Sequence, residues 1–213
     1  MSLRIVASGA AVAVLAACGA DGNSPTAFEV RAPLFVAGGA VAAGAAGENN
    51  LETHLAGANE VFTPAHPGDP TPADSRAQGE AIFRVSADGR TVEFKLIASN
   101  IDNVFMAHIH CGPVGRNGPI RMWLYPVIGP TGAPGPSGTG RHDGILASGT
   151  FSPTGVVCPA SAVGHDMPLL DAIRAGLTYV NAHTNDGVDG PNTGPGDFPG
   201  GEIRGQLGSP RDN

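Results

Sequence analysis

Hydrophobic and polar residues alternate most regularly between residues 81 and 96, in the stretch AIFRVSADGRTVEFKL. Apolar side chains stand at every second position on both sides of the dipeptide Asp88-Gly89, which is typical of a tight hairpin turn. The pattern therefore predicts a β-hairpin with one buried face. That face would carry Ala81, Phe83, Val85, Val92, Phe94 and Leu96.

Six further apolar segments of strand length lie between turn-rich stretches. They cover residues 51–56, 104–110, 120–125, 145–151, 177–183 and 202–207. One segment, DMPLLDAIRAG at residues 166–176, instead has apolar residues at helical spacing between Pro168 and Gly176, and it predicts a single short helix. The chain is thus expected to be all-β, a Greek-key β-sandwich with one short helix.

The composition supports a strand-and-turn protein. The chain has 213 residues, of which 32 are Gly and 19 are Pro, and these residue types favour turns over long helices. The formal net charge is −7, and Lys and Arg are not clustered. Binding of nucleic acid needs clustered cations, so we expect no nucleic-acid partner.

The first 17 residues have the pattern of an export signal. Arg4 precedes an apolar run that is too short to span a bilayer, and the run ends in LAAC. This ending resembles a bacterial lipobox, in which cleavage before Cys18 leaves that cysteine to carry the lipid. The alternative is an ordinary signal peptide cut nearby. We expect an exported, membrane-anchored lipoprotein that is periplasmic or on the cell surface. After the signal peptide, the chain would have a flexible tether at 18–50, a folded region at 51–208 and a tail at 209–213.

Two cysteines remain once Cys18 is assigned to the lipid. Cys111 and Cys158 lie 47 positions apart, and export would place them in an oxidising compartment. A disulfide between them is the simpler interpretation, and a pair of free thiols is the alternative.

Two histidines stand one residue apart in MAHIHCG. On a strand, His108 and His110 would project from the same face, where two imidazoles can bind one ion. Copper or zinc requires further ligands, and His183 in YVNAHT is the best candidate, with Glu202 or a water completing the set. The alternative is a buried hydrogen-bonded network that needs no metal, formed by these histidines with Asn181, Thr184, Glu202 and Arg204. No arrangement typical of a catalytic triad is present, so no catalytic residue is nominated.

Several stretches together resemble the CHRD (chordin) domain family, of the bacterial secreted or lipoprotein type. They are LAGANEVFTPA, GEAIFRVSADGRTVEFKLIASNID, AHIHCGPVGRNGPI, LLDAIRAGLTYVNAHT and GGEIRGQL, in family order over residues 51–208. The resemblance implies an immunoglobulin-like or Cu/Zn superoxide dismutase-like β-sandwich. It implies no assigned activity, and dismutase chemistry is not expected because the bridging histidine and the zinc-loop ligands have no counterparts.

Two functions follow as hypotheses. In the first, the protein is a lipid-anchored binding or structural module whose loops contact an unknown protein or glycan partner. In the second, it is a copper- or zinc-binding protein that uses His108, His110 and His183, with a redox role if the ion is copper.

Overall fold

The computed structural model describes residues 49–126, 140–188 and 191–208. The predicted signal peptide, the lipidation site Cys18, almost all of the predicted tether and the tail at 209–213 lie outside these residues. Two single turns of 3-10 helix, Gly57–Asn59 and Pro72–Asp74, follow the first strand. The described strands and α-helices, in chain order, are β1 (Asn50–Ala56), β2 (Gln78–Val85), β3 (Val92–Asp102), β4 (Val104–Cys111), β5 (Ile120–Tyr125), β6 (Arg141–Phe151), β7 (Val157–Cys158), α1 (Ala160–Val163), β8 (Met167–Pro168), α2 (Leu169–Arg174), β9 (Thr178–Thr184) and β10 (Ile203–Leu207).

Eight of these strands form one antiparallel sheet, in the order β5-β4-β9-β10-β1-β2-β3-β6. The two edge strands, β5 and β6, come into contact with each other, so the sheet nearly closes on itself. Closure of this kind protects backbone groups that an open sheet would leave at its edges. The prediction of an all-β fold is confirmed.

The predicted hairpin is present as β2 and β3. Val85 pairs with Val92 at its end, and Gly89 takes a φ of 69° in the turn, a conformation that glycine adopts without strain. Phe83 and Phe94 pair across the two strands and pack into the core. The alternation in the sequence thus specified both the register and the buried face.

The hydrophobic core lies on one face of the sheet and receives side chains from all eight of its strands. Leu55 of β1, Leu96 of β3, Ile109 of β4 and Val180 of β9 are almost fully buried in this cluster. α2 covers one end through Leu169, Ala172 and Ile173, and Gly176 follows it with a φ of 69°. The predicted helix is confirmed. The additional turn α1 buries no residue, and so no apolar pattern could indicate it.

A disulfide joins Cys111, the last residue of β4, to Cys158 of β7. The Cα atoms are 5.6 Å apart, within the usual range for a disulfide. The predicted pairing is confirmed. The bond fixes the end of β4 to the small β7-β8 ribbon, and β4 is the strand that carries the two adjacent histidines.

Candidate metal centre

The candidate histidines project from the face of the sheet opposite to the core. Strands β4 and β9 are neighbours, and their pairing sets His108 opposite Asn181 and His110 opposite Tyr179. Alternate residues of the same strands, such as Ile109 and Val180, point into the core. The histidine face is therefore the second face of β4 and β9.

This second face is buried as well, because irregular segments of the chain cover it. His108 is fully buried, and His110 and His183 are only 7% and 5% exposed. Gly118 and Pro199, from two separate loops, contact His110 and His183, and Glu60 from a third loop contacts Asn181 on the same face. The sheet thus carries a polar and aromatic layer outside its hydrophobic core.

The three histidines converge. One ring nitrogen from each lies within 4.8 Å of the corresponding nitrogens of the other two. His108 Nδ1 and His183 Nε2 are 3.2 Å apart. Two nitrogens bound tetrahedrally to one ion at about 2.1 Å are separated by roughly 3.4 Å, so the His108–His183 pair has the spacing of two ligands of one ion. A separation as wide as 4.8 Å would have to shorten when the ion binds. The structure therefore brings His183 to the H-x-H strand.

Two of the rings are oriented by backbone carbonyls. His110 Nδ1 donates to the carbonyl of Gly118 at 2.9 Å, and His183 Nδ1 donates to the carbonyl of Pro199 at 2.9 Å. A carbonyl can only accept, so the proton of each neutral ring sits on Nδ1 and the lone pair on Nε2. Metal-binding histidines are typically held in this way.

Three buried polar atoms of the cluster have no hydrogen-bond partner among the described residues. They are His108 Nε2, His110 Nε2 and Asn181 Oδ1. Burying a polar atom without a partner costs free energy, so native structures hold few of them. His110 Nε2 is the acceptor nitrogen of a ring whose Nδ1 is already bonded to Gly118, so its missing partner is consistent with a site that receives a ligand.

The cluster is electrically neutral at physiological pH. Burial lowers the pKa of His108 to about 2, with further contributions from His183 and His110. Burial also lowers the pKa of His183 to about 4, and it lowers the pKa of His110. Neutral imidazole is the form that binds a metal ion.

Glu202 lies elsewhere. Its carboxylate accepts hydrogen bonds from Ser75 Oγ, from Thr184 Oγ1 and from the backbone N–H of Gly196. The structure thus does not bring Glu202, which the sequence offered as a fourth ligand, to the three histidines. It also divides the predicted polar network, because Thr184 and Glu202 belong to this separate group.

An aromatic stack borders the cluster. The Arg204 guanidinium lies over the Tyr179 ring, with Cζ 3.4 Å from the centroid, and Tyr179 stacks on His110 at 4.8 Å between centroids. The Tyr179 hydroxyl accepts from the backbone N–H of Gly118. The stack therefore fixes both His110 and the loop whose carbonyl orients it.

Two neighbours of the histidines have no clear signal in the sequence. Trp123 of β5 stands perpendicular to the His108 ring at 4.2 Å between centroids. Glu60 accepts a hydrogen bond from Asn181 Nδ2 at 3.2 Å, and burial raises the pKa of Glu60 to about 7. Alternation along β5 could have predicted from which face of the strand Trp123 projects. Only the strand order places Trp123 beside His108.

Residues 51–191 match the family model of the CHRD domain, which covers well over half of the chain. The chain belongs to the CHRD domain family. The family assignment predicted from the sequence motifs is thus confirmed. The CHRD domain suggests a β-rich module of extracellular type, and the observed antiparallel sheet agrees with this. Searches of curated proteins and of solved structures find no significant match. Within 49–126, 140–188 and 191–208, no helix has the length and apolar character needed to cross a membrane.

Proposed function

We propose that this CHRD-domain protein is an exported, lipid-anchored module that binds one copper or zinc ion through His108, His110 and His183. The observation that carries the proposal is the convergence of three buried imidazole nitrogens on one point. Two of these rings have their other nitrogen occupied by a backbone carbonyl, so their lone pairs are directed into the cluster.

A count of protons and lone pairs favours an ion over hydrogen bonds alone. The inward nitrogens of His110 and His183 are both acceptors, since each ring keeps its proton on Nδ1. His108 Nδ1 can donate its single proton to His183, but the side-chain neighbour of His110 is then Asn181, whose Oδ1 is itself an acceptor without a donor. A bound cation would accept all three lone pairs at once.

The donor set suits copper or zinc. Both ions bind neutral imidazole, whereas magnesium and calcium prefer oxygen ligands. Three histidines leave a fourth position for a water or another donor. With His108 Nδ1 bound to the ion, the proton of that ring would move to Nε2, which has no hydrogen-bond partner among the described residues.

Metal analysis of the exported protein, purified without a histidine tag, tests the proposal. We expect one copper or zinc ion per chain, and loss of that ion in a His110→Ala variant. His165→Ala, which removes an exposed histidine outside the cluster, is the matched control and should retain the metal. Sub-stoichiometric copper and zinc, with unchanged stability in a chelator, would refute metal binding.

The proposed anchor rests on the LAAC sequence that ends at Cys18. The disulfide between Cys111 and Cys158 supports export, because such bonds persist in oxidising compartments. A Cys18→Ala variant should no longer incorporate labelled fatty acid, which the wild type incorporates. A wild type that incorporates none, or a variant that incorporates as much, would contradict the anchor.

The second candidate function is binding of a protein or glycan partner, with the histidines serving the fold. A groove of about 580 Å³ supports it, because polar side chains including Glu60, Arg204 and Gln206 line it and Val114 stands 76% exposed at its edge. Grooves with a few convergent polar groups are common ligand sites. If metal analysis of the purified protein finds neither copper nor zinc, binding of a protein or glycan partner becomes the favoured function.

A further inference from the structure

We propose that Met106 supplies a thioether ligand to the ion held by the three histidines, and that this sulfur makes the site selective for cuprous copper over zinc. The inference rests on the proposed metal-binding function. It adds a fourth protein ligand and names the ion and its oxidation state.

An irregularity in β4 brings Met106 to the histidine face. Val104 pairs with Thr184, and Met106 pairs with the preceding residue of β9, His183. Strand β4 thus has one extra residue, Phe105, at this point, which is the arrangement of a β-bulge. From Met106 onwards the pairing is regular, so Met106 projects from the same face as His108 and His110.

The bulge also gives the histidine face a second side chain. Phe105 is buried but lies outside the main core cluster, and its ring contacts His183 edge-on at 6.3 Å between centroids. Bulges often occur beside functional sites, where they change the direction of a side chain. Here the extra residue sets both Phe105 and Met106 next to His183.

Met106 has the reach and the freedom to approach an ion bound at His183. Residues directly opposite each other on antiparallel strands have Cβ atoms about 4.5–5.5 Å apart, and the methionine sulfur lies one atom beyond Cγ on a flexible chain. Met106 is only partly buried, so its side chain is not locked in the core. Of the other methionines in the described ranges, Met122 lies in the core and Met167 packs against it.

The charge of the site favours a monovalent ion. Three neutral imidazoles and a thioether contribute no negative charge, and the carboxylate of Glu60 accepts a hydrogen bond from Asn181 rather than from a histidine. Arg204 adds a cation nearby, over Tyr179. The cost of burying an ion rises with the square of its charge, so the lack of an anionic ligand weighs more against a divalent ion than against a monovalent one.

The ligand type points to the same ion. Thioether sulfur is a soft donor that selects Cu(I), whereas zinc sites in proteins use thiolate, imidazole and carboxylate. Three imidazoles alone would accept either metal. The sulfur of Met106 therefore provides the selectivity that the histidines lack.

Affinities for Cu(I) and Zn(II), measured separately by competition with chromophoric chelators, test the inference. Cu(I) is titrated without oxygen and with a reductant that spares the disulfide. In Met106→Leu, affinity for Cu(I) should fall by about tenfold or more while affinity for Zn(II) is unchanged. Met122→Leu makes the same substitution in the core and should leave both affinities as in the wild type. X-ray absorption of the copper-loaded wild type should show a sulfur neighbour that Met106→Leu lacks.

The possible outcomes separate this inference from the function on which it rests. Equal Cu(I) affinity in Met106→Leu and wild type, with no sulfur neighbour in either, would overturn the role of Met106 and leave the three-histidine site intact. An equal loss of Cu(I) and Zn(II) affinity would overturn the claim of selectivity. A wild-type protein that binds neither ion would overturn the proposed function, and this inference with it.

Discussion

Replacing Glu60 by Gln should make the protein more stable at neutral and alkaline pH. Burial raises the pKa of Glu60 from its ordinary value of 4.5 to about 7, and the hydrogen bond from Asn181 and the charge of Arg204 offset only part of this rise. A glutamine keeps the size of the side chain and an oxygen that can accept from Asn181 Nδ2. It removes the ionisation and exchanges one carboxylate oxygen for an NH₂ group.

The magnitude follows from the linkage between proton binding and folding. Because the pKa of Glu60 is higher in the folded protein, folding takes up a proton between about pH 4.5 and pH 7. The free energy of unfolding of the wild type therefore falls as the pH rises through this window, by about 1.4 kcal/mol per pH unit at most. The full penalty above the window is up to about 3 kcal/mol.

Urea unfolding of metal-free wild type and Glu60→Gln, repeated from about pH 4 to about pH 8, measures this difference. The two proteins should have similar stability at the acidic end, and the variant should gain up to about 3 kcal/mol at the alkaline end. The buried histidines affect both proteins equally and cancel in the comparison. Glu52→Gln, which removes the same charge from an exposed position on β1, is the control and should show no such gain.

A difference between Glu60→Gln and wild type that stays constant over the whole pH range would refute the reasoning. So would a variant that becomes less stable as the pH rises. Either result would mean that the folded protein does not disfavour the ionised carboxylate of Glu60.

Three further changes have defined outcomes. Removing the disulfide by replacing Cys111 and Cys158 with Ser should cost about 3–4 kcal/mol in urea unfolding, because the unfolded chain gains freedom over the 47-residue separation, and an unchanged midpoint would contradict this. Gly201→Ala should lower the free energy of unfolding by about 2 kcal/mol, because Gly201 has a φ of 130° and a Cβ would lie 2.5 Å from Asn181 Nδ2. Gly200→Ala is the control: its Cβ would meet open space, so it should be neutral. Tyr179→Phe should cost about 1 kcal/mol through the lost hydrogen bond with Gly118, and a neutral effect would show that this bond does not hold the loop.

The fold was largely predictable because its signals are local. Alternation with a period of two, as at Phe83 and Phe94, marks the buried face of a strand without reference to the rest of the chain. Asp88-Gly89 marked the hairpin turn, and Pro168 and Gly176 marked the limits of the helix. Strand order is a different matter, because the pairing of β4 with β9 joins segments about seventy residues apart and no local pattern encodes it.

The candidate site likewise has one part that local sequence patterns predict and another that depends on strand order. The sequence by itself determined that His108 and His110 share a face, because alternation along a strand is a property of the backbone. Only the tertiary structure decided that His183 lies beside these two histidines. It also decided that Glu202 forms its hydrogen bonds with Ser75 and Thr184 instead. Trp123 packs against His108, and Glu60 binds Asn181 on the same face, for the same reason. These contacts depend on which strands become neighbours and which loops fold over them, and those choices are made by packing of the whole chain.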